Sequence, residues 1–239
     1  KFELDDEIYE HLAHRLAIAC FDDQEENRAQ AKLIWSAGGF MTSESLCLLE
    51  LNDLVHPAEH VRLAAAEALA DALKAKHMKI FPSVLEQILD AYDKHNVLPE
   101  PKKDQFGRVS ASETIFDDWE SRAGLAHGLK HLAPILPKDQ VISVFKFFVQ
   151  RSLNDRSQAV RGLMLEAAVA CLDHHGKTNI NELLPLFETF LQDTPKEAKY
   201  DALRENVVIL MGTLAKHLDK DDAKVAPIIG KLVQALQTP

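Results

Sequence analysis

Four arginines in this chain each open the same stencil of apolar residues, and a fifth opens a worn copy of it. Three, four, seven, ten and eleven residues after Arg62 stand Ala65, Ala66, Leu69, Ala72 and Leu73. The same offsets from Arg122 give Leu125, Ala126, Leu129, Leu132 and Ala133, and from Arg161 they give Met164, Leu165, Ala168, Cys171 and Leu172. From Arg204 they give Val207, Val208, Met211, Leu214 and Ala215. After Arg28, Ala31 and Trp35 fit but Lys32 stands where the other copies are apolar, as expected of a terminal unit with no neighbour on one side. Such offsets mark one buried face of an α-helix at about 3.6 residues per turn.

Between these helices a second set is apolar at helical spacing: 8–20, 45–55, 80–92, 141–153, 180–191 and 225–236. Helices therefore come in pairs. Successive arginines lie 34, 60, 39 and 43 residues apart, which brackets the roughly 40 to 47 residue period of HEAT and armadillo arrays once the longest interval holds an insertion. Two helices per period, without a short third, favour HEAT. The expected fold is all-α, an α-solenoid of about five and a half HEAT-type antiparallel helix pairs. The approximate units are 1–40, 41–78, 79–136 with a loop insertion at 97–115, 137–177, 178–218 and a partial 219–239, in one array over 1–239. The first residue is Lys1 and the last helix stops at Thr238 and Pro239 without a following arginine helix. The expectation is a piece of a longer array with exposed stacking faces at its ends.

Aspartates stand six residues before the arginine in Asp22/Arg28 and Asp155/Arg161. There they can cap the second helix and face the arginine of an adjacent unit. Together with Arg62, Arg122 and Arg204 these form the candidate inter-repeat polar positions. His56 and Phe116 take the six-back place elsewhere, and Asp193 is eleven before Arg204, which speaks against a continuous ladder.

The insertion holds Pro99, Pro101, Lys102, Lys103, Asp104, Gly107 and Arg108, and it has no apolar period. A loop of this length inside a regular array is usually functional or disordered. It is either a partner contact, with Lys102, Lys103 and Arg108 as its contacting groups, or a tolerated mobile insertion. Lys74, Lys76 and Lys79 gather where the second unit ends, either as a basic helix end or as a contact for an acidic or RNA surface.

Hydrophobic residues make up 46% of the chain and charged residues 27%, enough for a large core that a solenoid spreads along its length. The net charge of −10 supplies no basic field for a phosphate backbone, so no DNA partner is expected. Cys20, Cys47 and Cys171 lie on apolar faces, far apart, without metal or redox spacing; they read as core packing in a reducing compartment. No apolar run reaches the roughly 20 residues of a bilayer span and no signal peptide pattern opens the chain, so a cytoplasmic protein without a membrane contact is expected.

Catalytic constellations are missing from the sequence, and neither an enzyme nor a cofactor is expected. His56 and His60 have zinc-helix spacing, but Pro57 follows the first where the metalloprotease motif has glutamate, so a turn and cap is the better reading. His174 and His175 read as a helix end before Gly176. Asp22, Asp23, Glu25 and Glu26 form a solvated helix start without calcium-loop spacing, and Asp221 and Asp222 cap the last helix. Gly124 and Gly128 lie mid-helix, where close helix packing explains them better than a phosphate loop.

Three strings carry a more specific likeness: DDWESRAGLAHGLKHLAPILP (117–137), SLNDRSQAVRGLMLEAA (152–168) and LMGTLAKHLDKDDAKV (210–225). They resemble the giant HEAT-repeat translational activators of the general amino-acid control pathway, from about the second unit onward. The resemblance implies a non-catalytic scaffold that couples amino-acid starvation or ribosome stalling to the kinase of the initiation factor two alpha subunit. It implies the ribosome and ribosomal proteins as partners of the whole protein, with the stress-response kinase and an ATP-binding cassette protein engaged through other regions. The segment resembles the central array of that family, near its elongation-factor-three-like part, so no kinase site is carried onto these residues. The alternative is a HEAT-repeat adaptor of another class, a transport receptor or phosphatase scaffold, because fold alone does not choose function.

Overall fold

The computed structural model describes residues 5–99, 117–218 and 221–237. Among the described residues every regular element is helical and no strand occurs. The chain divides into two compact units, 1–128 and 129–239.

In the first unit α1 (Asp6–Ala19) pairs with α2 (Glu25–Gly38), and α3 (Glu44–Asp53) pairs with α4 (Glu59–Ala72). α1 also packs on α3 and α4, and α3 packs on α5 (Phe81–His95). The local chemistry accounts for the breaks. α2 closes where Gly39, at φ 69°, and Phe40 donate to the carbonyls of Ser36 and Trp35 at 3.3 and 3.1 Å, the Schellman arrangement that a left-handed glycine permits. Ser43 then caps α3, its Oγ accepting the Leu46 N–H at 3.1 Å. α6 (Trp119–Leu132) follows the insertion and carries residues of both units.

In the second unit α7 (Val141–Gln150) packs on α8 (Gln158–Asp193), α8 on α9 (Asp201–Ala215), and α9 on α10 (Val225–Gln237). α8 is one helix of 36 residues, so it supplies the second helix of one pair and the first helix of the next. This corrects the reading of His174 and His175 as a helix end, and it leaves no turn at the unit boundary placed between 177 and 178. Gly176 is buried inside the helix because α9 presses on it: a Cβ there would lie 3.1 Å from His217 and 3.3 Å from Leu214. A mid-helix glycine costs about 1 kcal/mol of propensity, and the tertiary contact overrides it.

The stencil is the core. Positions three, seven and ten after each of the four arginines are all buried, from Ala65, Leu69 and Ala72 to Val207, Met211 and Leu214. Positions four and eleven are buried after Arg62 and Arg122, whereas Leu165, Val208 and Ala215 are only half-buried. The worn copy differs as its sequence does: Ala31 is buried, while Lys32, Leu33 and Ile34 are exposed.

Candidate functional site

The five arginines close turns. Arg28 Nη1 donates to the carbonyls of Asp22 at 2.6 Å and Asp23 at 3.4 Å. Arg62 Nη1 donates to those of His56 and Pro57, both at 2.8 Å, and Arg161 Nη1 to those of Asp155 at 2.7 Å and Arg156 at 3.3 Å. Each guanidinium thus reaches back six residues to the chain joining its own helix pair, and these bonds lie within one hairpin rather than across two. The aspartates act on the backbone: Asp22 Oδ1 accepts from Gln24 N–H and Asp155 Oδ1 from Ser157 N–H, both at 2.8 Å. His56 does the same work, its Nδ1 accepting the Ala58 N–H at 3.0 Å; each of the three side chains bonds the residue just before the helix, so they shape the turn and do not cap the helix as expected. Because the arginine's acceptor is a backbone carbonyl, losing the aspartate at position 56 leaves the staple intact. Sequence reasoning missed this, since it looked for a side-chain partner.

The other two arginines show what happens when the turn lengthens. Arg204 donates to Pro195 C=O and to the Asp201 carboxylate. Arg122 is fully buried and donates to His95 C=O at 3.0 Å and to both oxygens of Asp117 at 2.7 and 3.2 Å. Asp118 meets His95 Nδ1 at 2.5 Å. Burial pushes the Asp118 carboxyl up, but hydrogen bonds from Ser121 and His95 outweigh it and hold the group below its ordinary value. His95 ends α5 and Asp117 and Asp118 precede α6, so these bonds clamp together the two ends of the insertion. Lys102, Lys103 and Arg108 lie outside the described residues.

Gly124 and Gly128 serve close packing, as expected: a Cβ on Gly124 would stand 1.8 Å from Leu54 O, and one on Gly128 2.8 Å from Leu54 Cδ1. The lysine group at 74–79, in the first unit, occupies a π-helical turn, Leu73–His77, followed by a 3-10 turn, Met78–Ile80. Lys74 and Lys76 are exposed there, and Lys79 reaches Glu44 Oε1 on α3 at 2.5 Å.

Polar links between hairpins come from other residues. Lys130 Nζ meets Glu166 Oε2 at 2.8 Å, 36 residues away, and His175 Nε2 donates to Ala133 C=O at 2.8 Å, 42 residues away. Lys224 Nζ donates to Asn181 Oδ1 at 2.5 Å, 43 residues away. Each separation is close to one repeat.

One buried group stands apart from this scheme. Glu50 of α3 is 1% exposed, and burial first, then the charges of Asp71 and Asp53, push its carboxyl up to about 8. Asp53 is itself engaged by the buried His14 of α1, Nε2 to Oδ2 2.7 Å. The thiols of Cys47 and Cys171 are pushed up to about 12, chiefly by burial, and that of Cys20 is raised by burial, so none is a ready nucleophile. Among the described residues no group of three or more His, Cys, Asp and Glu is arranged to hold a metal, and no helix is long and apolar enough to cross a membrane.

A family model described as "Stalled ribosome sensor GCN1, HEAT repeats" matches residues 3–216. The stalled ribosome sensor GCN1 of Homo sapiens is 45% identical over 229 residues, covering 96% of this chain and 8% of that protein. The eIF-2-alpha kinase activator GCN1 of Saccharomyces cerevisiae is 36% identical over 248 residues, covering 100% of this chain and 9% of that protein. Protein ILITYHIA of Arabidopsis thaliana is 34% identical over 230 residues, 95% of this chain and 8% of its own length. The chain thus spans less than a tenth of the length of these curated relatives. No solved structure matches it.

Proposed function

Because the chain belongs to the GCN1 HEAT-repeat family, we propose that it is a non-catalytic scaffold segment of a ribosome-associated translational activator. The observation that carries this reading is the 45% identity, over 96% of the chain, to a protein named as a stalled ribosome sensor. A relative named as an eIF-2-alpha kinase activator supplies the output: starvation or stalling is conveyed to the initiation factor two alpha kinase. The whole protein meets the ribosome and ribosomal proteins in the cytoplasm, and it engages the kinase and an ATP-binding cassette protein through regions other than this one.

The physics suits the role. Hydrogen bonds one repeat apart make each hairpin answer mainly to its neighbours, and such arrays offer long surfaces that follow a large particle. With a net charge of −10 the segment favours basic ribosomal proteins over RNA. Lys74, Lys76 and Lys79, with Lys102, Lys103 and Arg108 of the insertion, are its proposed cationic contacts, and Asp22, Arg28, Arg62, Arg122, Asp155, Arg161 and Arg204 hold the connections between paired helices in shape. Binding of the 239-residue chain to ribosomes over a salt series tests the reading. The expected result is binding that bare RNA does not displace. A steep loss with salt, together with competition by bare RNA, would overturn the protein-contact reading.

A further inference from the structure

A shallow groove of about 370 Å³ runs along α8 in the second unit, between that helix and the end of α6. Its floor is Leu165, Val169 and Ala170, all half-buried. Leu165 belongs to the repeated stencil, and like Val208 it stays half-buried where Ala66 and Ala126 are fully covered. The rim carries Glu166, Asp173 and Lys130. Two carboxylates therefore face one ammonium, and the single cation is already bound to Glu166 at 2.8 Å. Asp173 is 58% exposed, with His217 Nε2 at 3.7 Å.

The spacing selects an occupant. Glu166 and Asp173 are seven residues apart on one continuous helix, so they stand two turns and roughly 10 Å apart along its axis. An apolar strip between two acids at that distance matches a helix that lies along it, with cations seven residues apart and two apolar side chains between them. An acidic or uncharged partner would leave the rim uncompensated, and a wholly polar one would leave the floor wet. We propose that this groove docks a basic amphipathic helix of a partner protein, with lysine or arginine at positions i and i+7 and large aliphatic residues at i+3 and i+4.

The inference stands on the chemistry of the groove and does not need the ribosomal reading, so it is tested without ribosomes. The apolar floor supplies affinity, whereas the two exposed carboxylates supply orientation and choice of partner. The Lys130–Glu166 pair is solvent-exposed, and such pairs contribute little, so an incoming cation can share Glu166 at small cost. A groove of this size with a few anchors gives weak binding, with Kd on the order of 100 μM.

The probe is a labelled, capped helical peptide with lysines at i and i+7, leucines at i+3 and i+4, and alanine and glutamine elsewhere, titrated into the 239-residue chain. Its control carries glutamates in place of the lysines. The expected result is saturable binding of the lysine peptide alone, weakened about tenfold in a chain carrying both Glu166→Lys and Asp173→Lys, and weakened again by salt. Both substitutions are at exposed positions, and circular dichroism would verify that the fold is kept. Lys130→Ala, which frees Glu166, should tighten binding about twofold. Equal binding of both peptides, unchanged affinity in the double variant, or no saturation up to millimolar peptide would overturn the proposal. So would self-association of the chain that the double variant abolishes, because a second copy would then be the occupant.

Discussion

Glu50 is the residue whose chemistry is least at ease with its surroundings. Its ordinary value is 4.5 and the fold raises it to about 8, so the folded chain keeps a proton that the unfolded chain releases. The sign follows: this contribution to stability is complete below about pH 4.5 and is lost as pH rises toward 8, with a slope of up to ~1.4 kcal/mol per pH unit. Urea unfolding at pH 5.5, 7 and 8.5 should show that decline in the native chain, and Glu50→Gln should flatten it; equal slopes would contradict the assignment. Arg122 is the other residue with much at stake, since it is fully buried and holds both His95 C=O and Asp117. Arg122→Met removes, from a fully buried position, the bonds to the His95 carbonyl and the Asp117 carboxylate, for an expected loss of about 3 kcal/mol. Arg28→Met, at a half-buried staple that bonds only backbone carbonyls, should cost about 1 kcal/mol. Denaturant midpoints decide between them, and equal losses would contradict the distinction.

At the scale of elements the glycines separate packing from propensity. Gly124 lies against the Leu54 carbonyl and has no room for a methyl group, whereas Gly162 in the first turns of α8 has nothing within 4 Å of its Cβ position. Gly124→Ala should destabilise by about 3 kcal/mol through overpacking, and Gly162→Ala should stabilise by about 0.5 to 1 kcal/mol through helix propensity. Thermal unfolding of the two variants measures this, and stabilisation by both would contradict the close approach at Leu54. The same glycines show what a sequence can reveal about elements. Helix pairing was legible because the stencil keeps its phase from Arg62 to Arg204, and burial at positions three, seven and ten follows it without exception. The continuity of α8 was not legible, because His174, His175 and Gly176 have the local chemistry of a helix end and only a contact from α9, distant in sequence, overrides it. The arginine staples were half legible: the cation repeats in sequence, but its acceptor is a backbone carbonyl, which leaves no mark on residue type.

For the whole molecule, charge and repetition point the same way. Polar contacts such as Lys130–Glu166, His175–Ala133 and Lys224–Asn181 span 36, 42 and 43 residues, about one repeat each, and so link neighbouring hairpins. The family was legible from strings such as DDWESR, whose aspartates and arginine form the clamp at the base of the insertion. The partner surface was less so: the groove on α8 arises from residues on two helices whose juxtaposition no local pattern announces. The proposed role of this stretch of a GCN1-family protein is contact with the ribosome. It is tested most directly by crosslinking the full-length protein on stalled ribosomes and mapping the products to residues 1 to 239. The expected result is a set of crosslinks from this stretch to basic ribosomal proteins. Abundant crosslinks elsewhere in the protein with none in this stretch would contradict the claim and leave it a spacer.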